Sequence, residues 1–217
     1  MISTGIQKLD KLLSGGISHG IIVDVFGANS TGKTQFLLQL CISCIRNGGK
    51  VLYVDTTGNF RPERIIELQK KFYLDSVSLK QISVSRVTNT HEQINSLTNF
   101  DKNYSLILID NITDLFSYEY QKEESIYEKN SIFMKYMNSL AKFSSTTNVP
   151  IVVTNMVRTI DGKEIENMKT AISPFTHVKI HLLKKPKFYS GIVNWALNQN
   201  SFHYKIHELG LSDAEDI

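Results

Sequence analysis

Short apolar runs alternate with helix-period runs through the first two-thirds of the chain. Gly20–Phe26, Val51–Asp55, Ile82–Val84, Leu106–Asp110 and Pro150–Thr154 are β-branched and nearly unbroken by charge. Strands covered on both faces of a parallel sheet have this pattern. Between them, about Thr34–Arg46, Pro62–Phe72, His91–Asn99 and Ile126–Phe143, apolar positions recur at helical spacing. In the last of these, Phe133, Met134, Met137, Leu140 and Ala141 form the stripe expected to be buried. The alternation predicts one open α/β domain with a mostly parallel sheet flanked by helices.

After Thr154 the pattern changes. Residues 157–176 hold Gly, Pro, Ser and scattered charge without period, so a long flexible loop is expected there. His177–Leu183, Gly191–Leu197 and Phe202–Ile206 read as an antiparallel C-terminal extension of the sheet, followed by a short acidic tail, Ser212–Ile217. Residues 1–20 form an N-terminal lead-in, and no linker or repeat divides the 217 residues.

Composition adds bounds more than identity. With 41% hydrophobic and 21% charged residues, the chain can bury a core without disulfides or metals. A net charge of +3 neither requires nor excludes nucleic acid. No apolar run reaches the length of a membrane span, and the first residues lack a signal-peptide pattern, so a cytoplasmic protein without a membrane partner is expected. Cys41 and Cys44 are spaced as a redox C-x-x-C pair, but they fall on the apolar face of Phe36, Leu37, Leu40 and Ile45. Core packing is the simpler reading. Only five residues are arginine, and two of them, Arg61 and Arg64, lie together.

The sharpest local signal is Gly27-Ala28-Asn29-Ser30-Thr31-Gly32-Lys33-Thr34, a G-x-x-x-x-G-K-[ST] run between a predicted strand and a predicted helix. Its backbone N–H groups would cradle phosphates, with Lys33 reaching the terminal ones and the Thr34 hydroxyl on Mg²⁺. Asp110 ends an apolar strand beside it, where a second contributor to the Mg²⁺ site belongs. ATP and Mg²⁺ are the expected ligands.

With those residues in place, the chain resembles the ATPase core of RecA/RadA-type recombinases. The segments that carry the resemblance are Ser3–Ile17, the phosphate loop with Gln35, Val54-Asp-Thr-Thr-Gly-Asn-Phe-Arg-Pro-Glu-Arg64, the Asp110 strand and Val152–Asn155. The resemblance implies a RecA-like P-loop NTPase fold, DNA as partner and a place in homologous recombination and repair. It also implies that Arg64 lays its guanidinium on the adenine.

The departures are as informative. The family's water-activating glutamate is Thr57 here, and the glutamine that senses the γ-phosphate is Met156. Neither replacement keeps the chemistry of the group it replaces. The stretch at Trp195–Ser201 lacks the family's Asp-Ser-Pro cap over a neighbour's ATP. In the first DNA loop, Ser117 and Glu123 stand at arginine positions, and Glu119, Glu123 and Glu124 outnumber Lys122. The second loop, residues 157–176, balances Arg158, Lys163 and Lys169 against Asp161, Glu164 and Glu166. By the same resemblance, the N-terminal DNA-binding and self-assembly parts of full recombinases have no counterpart here, so a long filament is not expected.

The family member expected is a short RadB-like paralogue. It would bind ATP, hydrolyse it weakly or not at all, and assist a full-length recombinase or another repair protein on single-stranded DNA near the nucleoid. Two alternatives stay open. One is a DNA-dependent ATPase with a non-standard carboxylate, such as Glu63 or a neighbouring subunit's; the other is a signalling module that binds protein. Lys179, Lys184, Lys185 and Lys187, near Phe188 and Tyr189, form an acid-free cluster. It suits single-stranded DNA, and equally suits the guarding of a sheet edge.

Overall fold

The apolar runs do become the middle of a sheet. A computed structural model describes residues 1–71, 76–160, 162–195, 198–208 and 210–214. In chain order the elements are α1 (Gln7–Leu12), β1 (Ile22–Gly27), α2 (Lys33–Arg46), β2 (Val51–Asp55), α3 (Pro62–Lys71), β3 (Ile82–Arg86) and α4 (Thr90–Asn95). They continue with β4 (Leu106–Asp110), α5 (Asp114–Glu119), α6 (Ile126–Thr147), β5 (Ile151–Ile160), β6 (Lys163–Glu166) and α7 (Lys169–Ile172). The last are β7 (Val178–Lys184), β8 (Tyr189–Trp195), β9 (Asn198–His207) and β10 (Gly210–Asp213). The sheet order is β10-β9-β8-β7-β1-β5-β4-β2-β3, with β6 paired to the far part of β5.

From β7 to β3 the neighbours are parallel, and β8, β9 and β10 add antiparallel strands at the other side. Every residue of β1, β2 and β4 is buried, because helices cover both faces. On one face pack α1, α2 and α3, with Phe36, Leu40, Cys41 and Cys44 of α2 against Val23 and Tyr53. On the other, Phe133, Met137 and Leu140 of α6 meet Ile107, Ile109 and Val153. Met134, expected in that stripe, is instead exposed. Both cysteines are buried free thiols. Burial pushes the Cys44 thiol up to about 12 and Cys41 well above its ordinary value, which suits packing and not redox exchange.

Two expectations change. Residues 157–176 are not one irregular loop: β5 runs on to Ile160, β6 returns antiparallel to it, and α7 follows. The local sequence is polar and aperiodic because its stability comes from distant partners. Asn167 donates to Thr113 and Ser117, both at 2.9 Å, and Ala171 and Ile172 are buried against α6. At the C-terminus, the start of the acidic tail is the strand β10. Asp213 there accepts from the backbone N–H groups of Gln7 and Lys8, at 2.7 and 2.8 Å, capping α1. The expected element ends at Phe72 and Leu197, the Asp161 position and the last three tail residues lie outside the described residues.

A candidate nucleotide site at the carboxyl ends of the parallel strands

In-register pairing brings the site together. Asp55 and Asp110 are partners at the ends of β2 and β4, and Asn155 lies beside Phe26, one residue before the phosphate loop. A cavity of about 800 Å³ opens over these ends, within the range of small-molecule sites. Its lining includes Asn29, Ser30, Gly32, Lys33 and Thr34 from the loop, Thr56, Thr57 and Asn59 after β2, and Asp110, Asp114 and Met156.

The loop is held where backbone must approach backbone. A Cβ on Gly27 would stand 2.2 Å from the Leu182 carbonyl oxygen of β7, so only glycine fits. Gly32 has φ +93° and opens α2, leaving the helix N-terminus aimed into the cavity. The Lys33 ammonium donates to the Gly27 and Ala28 carbonyls at 2.8 Å each, and the Thr31 hydroxyl to Ala28 at 2.9 Å. Burial lowers the Lys33 pKa, while the charges of Asp110, Asp114 and Glu164 oppose that shift. An anionic phosphate is the natural partner for such a cation.

Thr34 donates to Asp110 Oδ2 at 2.8 Å, and Tyr53 donates to the same oxygen at 2.9 Å. The Thr154 hydroxyl donates to Oδ1. These oxygens fit a hard cation: one carboxylate and one hydroxyl side by side, with room for phosphate and water oxygens beyond. Thr34 and Asp110 would hold Mg²⁺ there. Burial, and then the Asp110 charge, raise the Tyr53 phenol well above its ordinary value, so it serves Asp110 as a neutral donor.

Gln35 and Arg64 meet outside that cavity. The Arg64 Nε donates to Gln35 Oε1 at 3.1 Å, and Nη1 pairs with Glu67 at 2.7 Å. Both residues thus sit together at the start of α2 and α3, with the guanidinium oriented from two sides.

The position of the family's glutamate is structurally occupied. Thr57 Oγ1 donates to Asp55 Oδ1 at 3.2 Å, and Asp55 also accepts from the backbone N–H groups of Thr57, Gly58 and Phe60. Arg86, at the end of β3, completes this knot with 3.1 Å to Asp55 Oδ2. Glu63 is exposed on α3 and does not line the cavity. Asp114 does line it, a carboxylate that no sequence motif marks. Burial, and then the Asp110 charge, raise its pKa, with Lys33 opposing.

The expected DNA surfaces are rearranged. Glu119 of the first loop accepts from the backbone N–H of Thr90 at 2.9 Å and from its hydroxyl, so it is committed to the start of α4. The Glu123 side chain lies outside the described residues. Lys179 does not belong with the other three lysines of its cluster. Its ammonium lies 2.6 Å from both Glu166 oxygens, 2.8 Å from Ser173 Oγ and 3.9 Å from Asp24. It is a half-buried tie between β7 and the β5–β6 hairpin. Lys184, Lys185 and Lys187 are exposed at the β7–β8 turn.

Among curated proteins, the DNA repair and recombination protein RadA of Cenarchaeum symbiosum is 36% identical over 169 residues, 72% of this chain and 42% of that protein. The DNA repair protein RAD51 homolog B of Zea mays is 30% identical over 174 residues, 74% of this chain and 51% of its own. The DNA repair protein RAD51 homolog 1 of Arabidopsis thaliana is 29% identical over 177 residues, 76% and 52% respectively. The chain thus spans about half the length of the curated relatives it matches. The family model described as Rad51 matches residues 1–180, so the chain belongs to the Rad51 family.

Proposed function

We propose that this protein is an ATP-binding recombinase paralogue, of RadB-like type, that assists homologous recombination and DNA repair. Mg-ATP acts as a conformational ligand and is turned over slowly or not at all. Its partners are single-stranded DNA and a full-length recombinase or another repair protein. One observation carries this reading: the phosphate and metal side of the cavity is complete, while the hydrolytic side is not. Lys33, Thr34 and Asp110 stand ready, whereas Thr57 is bonded to Asp55 and offers no carboxylate. When bound, Mg²⁺ neutralises charge on the phosphate oxygens. The chain's own residues bind and orient the nucleotide; none at position 57 can take a proton from water.

Asp114 favours a second reading, in which residual hydrolysis depends on a carboxylate from α5. ATP binding and turnover, with and without single-stranded DNA, separate the two for wild type, Lys33→Ala and Thr57→Glu. Binding lost in Lys33→Ala, little turnover in wild type and a gain in Thr57→Glu are expected. Fast DNA-stimulated hydrolysis by the wild type would sink the first reading.

A further inference from the structure

A second groove, of about 590 Å³, lies between the β7–β8 turn and the ends of β9 and β10. Lys184, Lys185, Lys187 and Lys205 line it, all exposed, together with His207 and the half-buried rings of Phe188 and Tyr189. Among the described residues no carboxylate lines it. Asp213 is committed to the start of α1, Glu208 is exposed beyond His207, and Glu215 and Asp216, which follow the lining residue Ala214, lie outside the described residues. The turn itself is fixed, with Lys185 N–H donating to the Phe188 carbonyl at 2.9 Å and Phe188 set edge-on against His203 at 5.1 Å.

A sheet edge guarded by lysines needs neither the aromatics nor the concavity. Cations interleaved with ring faces along a groove suit a polyanion that also carries flat bases. Lys179, which the sequence adds to this cluster, is spent elsewhere, while Lys205 and His207, distant in sequence, join it.

The groove also touches the phosphate loop from behind. Tyr189 packs on Tyr204, ring centroids 5.5 Å apart, and the Tyr204 hydroxyl donates to the Thr31 carbonyl at 2.7 Å. Ile206, another wall residue, has its Cδ1 3.1 Å from where a Cβ on Gly32 would stand. We propose that this groove binds single-stranded DNA, and that Tyr204 is the positioning residue through which its occupancy and that of the phosphate loop affect each other. The coupling rests on the reading of the cavity as a nucleotide site; the DNA site itself does not.

The probe is a fluorescent oligothymidylate, titrated at several salt concentrations with and without Mg-ATP. If all four lysines contact phosphates, the slope of log affinity against log salt is about −2.8, and Lys184→Ala with Lys185→Ala makes it shallower by about 1.4. Removing two exposed lysines of α6, Lys135→Ala with Lys142→Ala, leaves the slope unchanged. Phe188→Ala weakens binding between about fivefold and a hundredfold through lost stacking. Tyr204→Phe keeps the ring and the salt slope but abolishes the effect of Mg-ATP on DNA affinity and, reciprocally, of DNA on ATP affinity.

Equal slope changes from the groove and α6 pairs, or no change from the groove pair, would overturn the site. Polyglutamate competing as well as oligothymidylate would make it an acidic-peptide surface and overturn it too. DNA affinity indifferent to Mg-ATP in a wild type that binds ATP would overturn the coupling. Failure of the wild type to bind ATP at all would instead remove the proposed function, while the salt slopes still decide the groove.

Discussion

Replacing Lys179 by methionine keeps the length of the side chain and removes its charge. The ammonium sits 2.6 Å from both oxygens of Glu166, and the two side chains are 16% and 2% exposed, so solvent screens the pair little. Removing one partner of a buried pair costs about 3–5 kcal/mol, because the other charge is left stranded. For a chain of 217 residues a loss of that size lowers the midpoint of thermal unfolding by roughly 6–20 °C. Circular dichroism against temperature measures it, and hydrogen exchange at the amides of β5 and β6 shows whether the hairpin loosens first. Glu166→Gln in the Lys179→Met background should restore part of the stability. A loss below about 1 kcal/mol, of the size found for exposed pairs, would refute the idea that this pair holds the hairpin to the sheet.

Other outcomes follow from the same geometry. Thr57→Glu should raise ATP turnover by roughly 10²-fold, and Asp114→Asn should abolish whatever turnover the wild type has while leaving ATP affinity intact, both read in a phosphate-release assay. Burial first, and the Glu166 charge second, raise the Asp24 carboxyl well above 3.8. A raised acid binds its proton in the folded state, so its contribution to stability falls as pH rises from the unfolded value through the folded one. Asp24→Asn should therefore gain on the wild type in melting temperature as pH rises above about 4, and a difference that stays constant with pH would refute this. Gly27→Ala should cost about 1–3 kcal/mol in denaturant unfolding and weaken nucleotide binding, since the 2.2 Å contact is to backbone and cannot move cheaply.

What the sequence made legible was whatever is encoded locally. The strands β1, β2 and β4 are wholly buried, so their apolar runs mark them directly. The phosphate loop is contiguous, and its spacing alone places Lys33 and Thr34. Features made by distant partners were not legible. The segment Lys163-Glu-Ile-Glu166 reads as solvated loop, because the cation that makes Glu166 a buried residue is Lys179, thirteen positions on. In the same way Lys179 looks like one of a surface group, although strand alternation turns it and Lys184 to opposite faces of β7. Asp114 belongs to no motif; only the return of the chain after β4 brings it over Lys33. Arg86 had one available signal, its place at the end of a strand in register with Asp55.

The departures from the family pattern share a physical consequence. In a protein where ATP and DNA answer each other, the groups between them must be free to change partners. Here those groups are engaged. Thr57 is bonded to Asp55, and Asn155, beside Met156, accepts from Thr113 at 2.7 Å and donates to the Asn167 carbonyl at 2.9 Å. Asn167 in turn holds Ser117, and the hairpin beyond is tied down by Lys179. A γ-phosphate placed at Lys33 would meet a thioether at Met156, with no amide to pull on that network. On the proposed reading, a signal from the nucleotide would leave instead by the other wall of the phosphate loop. There the Thr31 carbonyl accepts from the Tyr204 hydroxyl, one ring away from the lysine groove.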